Sequence, residues 1–371
     1  RVLFRSGYWD FELIKNVRKN FSTIKDVASQ NNLIMKKGLQ DNDGDKKDSS
    51  NLVGRKILDS EEALDHFYLN ESAYTIFNKD KIHRPRNPEI YKAPYVLFKK
   101  GLDCADYSIR AVYTESDFLY RETINCIKGS EKDKKTLLNL CGLLNSSLFS
   151  YFNLMLGSST GIEREQIFLE ELGNYPYVYN DELVELVEKM QREEWGKNRN
   201  ELQVALNQCV MRMYGLQDNY FVDYALSIQI PMLCGTYQET KCDAKTMKKY
   251  VSILSKIWDE HFGQSNVHYK ITIYPDIKGK FAAVQVKLSF TSQIEDIFVI
   301  DNVDEDVSLL TNFMIYQLND CFYQTKNVVE FSEDSFVIVK PIEAKNWHPA
   351  MAIKDSYKVL NAVLLGKEDC R

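Results

Sequence analysis

The sequence predicts an α+β fold in two parts, a mixed domain over residues 1–225 and a second α+β module over residues 226–371. Three observations support this prediction. Short apolar runs bounded by turn residues recur in the first part, and such runs are typical of strands. Two amphipathic helical stripes follow them. The last part then alternates helical segments with hairpin patterns.

The first part is predicted to contain helical segments and strands, followed by one apolar helix. Apolar residues at partly helical spacing occur over residues 1–35. Strand patterns occur at Tyr74–Phe77, Ala93–Gly101, Ala111–Tyr113 and Ile124–Ile127. The helix covers Leu143–Phe152, and a polar break follows it. A short helix is expected from Ile162, and Tyr175–Tyr177 is expected to be extended because it centres on a proline.

The end of the first part and the whole of the second are expected to be rich in helices. Asp181–Met213 carries an apolar stripe at spacings of three and four, which predicts two helices separated near Gly196 and Asn198. In the second module the predicted helices are Met247–Phe262, Leu309–Phe322 and Ala350–Leu365. Its predicted strands are Val267–Tyr274, Phe281–Phe290, Val328–Phe331 and Ser335–Val339. The first two of these strands flank a hairpin turn at Asp276–Gly279.

The composition is that of a globular protein able to bury a large core. Of the 371 residues, 44% are hydrophobic and 27% are charged. No apolar run approaches the length of a membrane span and no signal peptide pattern leads the chain, so we expect no membrane partner and a cytoplasmic location. The chain begins with Arg1 in place of Met, which we interpret as the start of a fragment.

The cysteines and histidines give no pattern of metal ligands. None of the eight cysteines belongs to a CxxC pair, and the five histidines do not cluster with them. A zinc site is therefore not expected, and we interpret the cysteines as reduced thiols. No catalytic or metal-binding residue is assigned in this chain.

Charge is distributed unevenly along the chain. The net charge is −6, but residues 1–150 hold 25 Lys and Arg against 21 Asp and Glu. The remaining residues therefore hold 22 basic and 32 acidic side chains. The excess of positive charge lies in the first part, where a surface for nucleic acid would be expected.

The most basic window extends from Lys81 to Lys100 and has one acidic residue, Glu89. Its basic residues are Lys81, Arg84, Arg86, Lys92, Lys99 and Lys100. Prolines within the window prevent a continuous helix, and aromatic residues alternate with the charges. Basic and aromatic side chains on strands and turns suit contacts to a DNA backbone. The alternative is a solvated connection whose charges contact nothing.

The polar break after the apolar helix supplies a second set of candidates. Apolar residues keep helical phase up to Met155, and hydroxyl, guanidinium and amide side chains follow. These candidates are Ser158, Ser159, Thr160, Arg164 and Gln166. Such groups can bond phosphate oxygens or base edges, and Arg164 is suited to a bidentate contact. The alternative is that they are helix caps and turn residues.

Several short patterns occur in the order found in one protein family. They are Leu143–Leu148 (LLNSSL), Gly161–Ile167 (GIEREQI), Ala93–Gly101 (APYVLFKKG) and Val210–Leu216 (VMRMYGL). Over about residues 54–225 the chain thereby resembles the target-recognition domain of adenine-N6 DNA methyltransferases of type II and IIG restriction–modification systems. The resemblance implies a bacterial antiviral defence protein that recognises duplex DNA, with a mixed recognition domain and closing helices.

The chemistry of methyl transfer is missing from this sequence. Such enzymes hold a flipped adenine with Asn or Asp followed by Pro-Pro-Tyr or Pro-Pro-Phe. Here Asn87-Pro88 continues into Glu89, and no Gly-x-Gly turn for the methyl donor occurs. The resemblance therefore implies that S-adenosylmethionine belongs to a catalytic domain upstream or on another chain. Lys345–Ala350 also resembles the ends of small accessory proteins encoded beside such enzymes, which adds an accessory subunit to the expected partners.

Two other functions stay open on the sequence. Metal-dependent nucleases often combine an acid with a Glu-x-Lys sequence, and Glu343-Ala344-Lys345 follows Asp334 in the second module. This motif is short and frequent by chance. A non-catalytic interaction or assembly protein is the third interpretation. The acidic residues that favour it are Asp301, Asp304, Glu305 and Asp306.

Overall fold

A computed structural model of the protein describes residues 7–42, 44–160, 164–192, 197–262, 268–277, 279–289, 297–299, 328–332 and 334–365. In these ranges helices combine with several small sheets, which confirms the predicted α+β class. None of the helices in these ranges has both the length and the apolar character that a membrane span requires. The chain divides into two compact units, one ending at Tyr237 and the other beginning at Gln238.

This division lies later than the predicted boundary at residue 225. Two short helices, Tyr220–Tyr224 and Ile230–Cys234, are joined by a π-helical turn and continue the first unit. Their side chains Val222 and Ile230 are buried in the core of that unit. Because these apolar groups leave water only against that core, the boundary lies beyond them.

The first unit contains most of the described secondary structure. Its helices are α1 (Tyr8–Asn20), α2 (Ile24–Gln30), α3 (Lys134–Leu144), α4 (Ser147–Leu156), α5 (Leu169–Gly173), α6 (Asp181–Arg192), α7 (Lys197–Met213), α8 (Tyr220–Tyr224) and α9 (Ile230–Cys234). Its strands are β1 (Ser22–Thr23), β2 (Ile34–Lys37), β3 (Lys47–Asp48), β4 (Lys56–Leu58), β5 (Leu64–Asp65), β6 (Tyr68–Leu69), β7 (Tyr74–Ile76), β8 (Lys81–Ile82), β9 (Tyr95–Lys99), β10 (Ala111–Thr114), β11 (Leu119–Tyr120), β12 (Ile124–Lys128) and β13 (Pro176–Tyr177).

A sheet with the strand order β10-β9-β12-β2 organises this unit. All of its described neighbours are antiparallel. Alternate residues of β9 enter different cores: Val96 and Phe98 pack with the helices, whereas Tyr95 and Leu97 pack under the β11-β4-β7 sheet. Burial on both faces explains why β9 is a continuous apolar run. Charged side chains are thereby left for the ends of the strands.

The apolar helix predicted over Leu143–Phe152 is two helices. The first, α3, ends at Leu144, and Asn145 and Ser146 separate it from α4. The short helix predicted from Ile162 also begins later, at Leu169, because residues 165–167 form main-chain hydrogen bonds with residues 100–102. Residues 161–163 lie outside the described ranges. The extended segment predicted around Pro176 is confirmed as β13.

The two predicted amphipathic helices are confirmed as α6 and α7. On α6 the side chains of Leu183, Val187 and Met190 are buried, and on α7 so are those of Leu206 and Val210. The α6 face packs on α3, where Gly142 permits a close approach. A Cβ atom at Gly142 would lie 2.8 Å from atoms of both Leu183 and Val187.

The second unit is a sheet covered by helices. Its helices are α10 (Ala244–Phe262) and α11 (Pro349–Leu365), and its strands are β14 (His268–Ile277), β15 (Phe281–Ser289), β16 (Ile297–Val299), β17 (Val328–Phe331) and β18 (Ser335–Pro341). The strand order is β16-β14-β15-β18-β17. The predicted hairpin is confirmed as β14–β15, with Gly279 at a φ of 71° in its turn. The predicted helix Leu309–Phe322 lies outside the described residues.

The second unit also contains a buried ion pair. The side chains of Lys340 on β18 and Asp355 on α11 are bonded and are 4% and 6% exposed. Tyr250 Oη donates to Asp355 Oδ2 at 2.6 Å, and Lys340 Nζ lies 4.9 Å from the Tyr250 ring and 5.2 Å from the Trp347 ring. Burial lowers the pKa of Lys340, and the neighbouring carboxylate acts in the opposite direction.

We predict that Gly142→Ala destabilises the first unit by about 1–3 kcal/mol more than Gly173→Ala, because the added methyl overpacks the contact between α3 and α6. At Gly173 an added Cβ would meet its nearest described neighbour at 3.5 Å, an ordinary contact. Alanine's helix propensity favours both substitutions by up to about 1 kcal/mol, so the difference between them isolates the overpacking. Urea unfolding of both variants measures it. Equal stabilities would contradict the close approach.

Candidate nucleic-acid interface

Two candidate regions that are far apart in the sequence lie side by side in the structure. Gly101, at the end of the basic window, forms a β-bridge with Gln166 of the polar break. Ile167 N donates to Lys100 O at 2.9 Å, and Leu102 N donates to Glu165 O at 2.9 Å. These main-chain bonds place the side chains of the polar break next to the end of β9.

Three cations from three segments meet at this place, and we call Lys37, Arg86 and Lys100 the basic cluster. Burial lowers the pKa of Lys37 first, and the charges of Lys100 and Arg86 lower it further, so each of these two cations lies within electrostatic range of Lys37. Glu170 and Glu122 act in the opposite direction on the same pKa. Lys37 therefore lies among both cations and carboxylates, and the effects of the two cations on its pKa are larger than those of the two carboxylates.

Local contacts hold the basic cluster in place. Arg86 Nε donates to the main-chain oxygen of Gly38 at 3.1 Å, and Arg86 itself has a φ of 65°, a strained value for a residue with a side chain. Lys37 Nζ lies 6.0 Å from the centre of the Phe168 ring. An aromatic ring just beyond the polar break thereby lies within cation–π range of a lysine of β2.

Asn125 lies opposite Lys37 in the β2–β12 ladder and opposite Phe98 in the β9–β12 ladder. Residues that face each other in an antiparallel pair share one side of the sheet, so Asn125 is on the side of Lys37. Its side chain is 0% exposed, and neither amide atom has a hydrogen-bond partner among the described residues. Unsatisfied buried amides are rare and mark a site that holds water or serves a function.

The polar break is held by one of its hydroxyls and by a main-chain N–H. Ser159 Oγ donates to Gln166 O at 3.2 Å, and Ser158 N donates to Glu171 Oε1 at 3.3 Å. Arg164 is exposed, and in the described part of the chain no ion pair joins it to Glu170 or Glu171. Gln166 is held beside the end of β9 by its bridge to Gly101, and Arg164, two residues earlier, is exposed.

Thr160 does not fit the predicted role. Its side chain is 1% exposed, and a Cβ atom at Gly157 would lie 2.5 Å from Thr160 Oγ1. Because the hydroxyl faces the end of α4 and not the surface, it cannot contact a ligand there. Thr160 is better described as part of the turn that follows α4.

The basic side chains of the window from Lys81 to Lys100 lie in different surroundings in the structure. Lys92 bonds Glu89 at 2.7 Å, and Lys81 lies directly opposite Asp48 in the β3–β8 pair. Arg84 is exposed, and its main chain pairs with Gln40. These three residues are engaged locally or stand apart from the basic cluster.

Lys99 and Lys100 are adjacent in sequence but have different neighbours. Lys99 lies near Glu61, Glu62 and Asp65, and burial followed by the charge of Arg110 lowers its pKa. Lys100 lies near Lys37. The alternation of side chains along an extended chain separates the two lysines, so only Lys100 joins the basic cluster.

Sequence reasoning missed Lys37, Phe168 and Asn125. The pair Lys36-Lys37 is visibly basic in the sequence, but no neighbouring residue indicates that Lys37 lies close to Lys100 in the fold. The pairing of β2 with β12, and of residues 100–102 with residues 165–167, creates the association. Such pairings are long-range and are not encoded in local patterns.

The LNSS motif has a structural role. Asn145 Oδ1 accepts from Ala111 N at 3.0 Å and bonds His66 Nδ1 at 2.7 Å, while its Nδ2 donates to the oxygens of Ala111 and Cys141 at 2.9 Å. Ser146 Oγ donates to Leu143 O at 2.7 Å. These bonds join the α3 end to β10 and to the loop that carries His66.

The residues of the nuclease interpretation do not form one site. Asp334 precedes β18 and pairs with Lys287 at 3.4 Å, whereas Glu343 follows β18 and accepts from Asn346 Nδ2 at 2.6 Å. A strand of this length separates its ends by roughly 20 Å at 3.3 Å per residue. In the described residues no group of three His, Cys, Asp or Glu side chains could hold a metal ion. The acidic residues 301–306 lie outside the described ranges.

Comparison with known proteins adds no family assignment: no model of a protein family matches the chain, and no curated protein matches it. The proposed function therefore rests on the basic cluster and the adjoining polar break.

We predict that His66 makes stability depend on pH near neutrality. Burial lowers its pKa from the usual 6.5; Asn145, Asp65 and Asp106 oppose the shift, and Arg110 adds to it. Below about pH 6.5 the unfolded chain binds a proton that the folded chain does not, so stability falls as pH falls through this range.

Urea unfolding of the wild type and of His66→Gln at pH 7.5 and pH 5.5 tests this expectation. The wild type should lose more stability between the two conditions than the variant does, whatever their absolute stabilities. Equal losses would show that the imidazole does not resist protonation in the fold.

Proposed function

We propose that the first unit binds duplex DNA, as the target-recognition region of an adenine-N6 DNA methyltransferase of a restriction–modification system. The supporting observation is the pairing of Gly101 with Gln166, which joins the basic cluster to the polar break. The two regions were separate candidates in the sequence, and both belong to the patterns that resemble this family.

The side chains suit two kinds of contact. Lys37, Lys100 and Arg86 supply positive charge for phosphate oxygens, which fix the position of a protein on DNA. Arg164 and Gln166 are at least partly exposed beside them and match the geometry of guanine and adenine edges in the major groove. In this proposal the basic cluster contacts the phosphate backbone of the DNA, and the side chains of the polar break contact the bases.

Methyl transfer is assigned to another part of the assembly. The sequence has no Asn/Asp-Pro-Pro-Tyr/Phe motif, so the pocket for the flipped adenine and the S-adenosylmethionine site belong to a catalytic domain upstream or on another chain. The second unit is proposed as a module for assembly with that domain or with an accessory subunit. With duplex DNA as its partner in a bacterial cell, the protein is proposed to act in the cytoplasm.

We predict that Lys37→Ala/Lys100→Ala weakens DNA binding and flattens its salt dependence. Each phosphate contact contributes about −0.9 to the slope of log affinity against log salt, so the slope should lose about 1–2 in magnitude. Fluorescence anisotropy with a random-sequence duplex at several salt concentrations measures the effect.

The matched control is Lys92→Ala/Lys99→Ala, which removes two charges of the same window that lie beside carboxylates. It should keep the wild-type slope. If both double variants flatten the slope equally, net charge and not the basic cluster governs binding. If neither changes it, the basic cluster is not the DNA contact.

We predict that Arg164→Ala relaxes the preference at a single base pair. Selection from a random duplex pool first defines the preferred site, and anisotropy then compares that site with its single-base variants. Loss of a base contact should cost about 1–3 kcal/mol on the preferred site and little on random DNA. Arg192→Ala, an exposed arginine on α6 paired with Glu188, is the control and should bind as the wild type does.

Two other results would assign a different role to Arg164. Equal weakening on preferred and random DNA would assign it to a phosphate contact. A lower melting temperature with the ratio of specific to non-specific binding unchanged would make it a structural residue and remove it from the proposed interface.

A further inference from the structure

The first unit contains a cavity of about 420 Å³ that the DNA proposal does not use. One part of its wall is polar and includes His66, Ser108, Arg199 and Gln203. Another part is apolar and includes Leu226 and Ile230. This volume falls within the range of sites for small molecules, and the mixed wall suits a ligand with one polar and one apolar end.

Asn145 fixes the tautomer of His66 in that wall. Its Nδ2 donates to two main-chain oxygens, so its other atom is the carbonyl oxygen, which can only accept. His66 Nδ1 must therefore carry the proton in the 2.7 Å bond to that oxygen. In the neutral ring Nε2 then has a lone pair, and Ser108 Oγ lies 3.4 Å from it.

The Ser108 hydroxyl has no other role in the described structure. The main chain of Ser108 is held separately, because Asp103 N donates to Ser108 O at 3.0 Å and Ser108 N donates to Asp106 Oδ1 at 2.9 Å. Among the described residues, His66 Nε2 is the one partner of Ser108 Oγ. The side chain is thus available for chemistry without loss of the loop that holds it.

We propose that Ser108, His66 and Asn145 form a nucleophile, a general base and a positioning residue that hydrolyse small carboxylic esters in this cavity. The three groups have the connectivity that activates a serine: nucleophile to base, and base to an orienting group. The 3.4 Å separation is typical of such pairs before substrate binds. This activity is independent of DNA recognition.

The reaction has two balanced steps. Ser108 Oγ bonds to the ester carbonyl carbon and its proton passes to His66 Nε2; the bond from that carbon to the alcohol oxygen then breaks, and the alcohol takes the proton. Water next attacks the acyl-serine with His66 as base, which releases the carboxylic acid and restores the hydroxyl. Arg199 gives the polar wall a positive charge that favours the developing oxyanion.

A fluorophosphonate probe tests the nucleophile directly, since serine displaces its fluoride and retains the phosphonyl group. We expect one adduct on the wild-type chain, mapped to Ser108 by peptide mass spectrometry, and turnover of p-nitrophenyl butyrate. Ser108→Ala should lose both. Ser252→Ala, a surface serine of α10, should retain both. His66→Gln should slow labelling by about 10²-fold or more, the usual contribution of a general base.

Asn145→Asp tests the positioning role. A carboxylate beside Nδ1 stabilises the imidazolium, so the pH of half-maximal labelling should rise; the other charges near the ring are Asp65, Asp106 and Arg110. If the variant changes in stability but that pH stays in place, the protonation of His66 does not control labelling, and the proposed base is wrong. A wild-type chain with no adduct, an adduct on another residue, or full labelling of Ser108→Ala would overturn the proposal. The mapped site decides the question even if a variant fails to fold.

Discussion

The first unit depends on the side-chain amide of one residue, Asn145. It is 3% exposed and bonds the main chain of β10 with both of its ends, the last turn of α3 with Nδ2, and His66 with Oδ1. Removal of the amide would leave several buried donors and acceptors unpaired, at about 1–3 kcal/mol each. The bonds also explain why the apolar helix stops at this position. This buried polar side chain links β10, the end of α3 and the loop that carries His66.

The burial of β9 on both faces restricts where charged side chains can lie along this strand. Strand β9 is apolar on both faces, so its one lysine, Lys99, is its last residue, and Lys100 follows the strand. Strand β2 is the partly exposed edge strand of this sheet, and it ends in Lys36 and Lys37. Since β2, β12 and β9 are neighbours, their ends bring Lys37, Asn125 and Lys100 to one edge. The order of the strands therefore brings Lys37 and Lys100 together, and Arg86 joins them from a segment outside the sheet.

Sequence patterns predicted the elements whose signals are local. The stripes of α6 and α7, the β14–β15 hairpin and the extended Pro176 segment were all predicted because periodicity or turn residues reveal them. The same patterns missed the break at Asn145, since its cause is a set of distant hydrogen bonds. They also treated Lys99 and Lys100 as one group, although strand alternation separates them. Thr160 looked like a surface hydroxyl because its burial depends on a turn that the composition does not specify.

The core of the second unit contains a buried ion pair. Lys340 and Asp355 join β18 to α11 inside the core, and Tyr250 from α10 completes the contact. Such pairs give little net stability, because desolvation of both charges opposes their attraction. They do disfavour arrangements in which one charge is buried alone, so this contact favours a single packing of the two helices on the sheet.

The attachment of residues 165–167 to residues 100–102 consists of main-chain bonds. Any residue with a main-chain N–H and C=O can make them, so the identity of the side chains at Arg164 and Gln166 is not constrained by the attachment. Substitution at these positions can alter surface chemistry without repacking the core. The segment thereby provides an evolutionary route by which related chains could diverge in what they bind while they keep one scaffold.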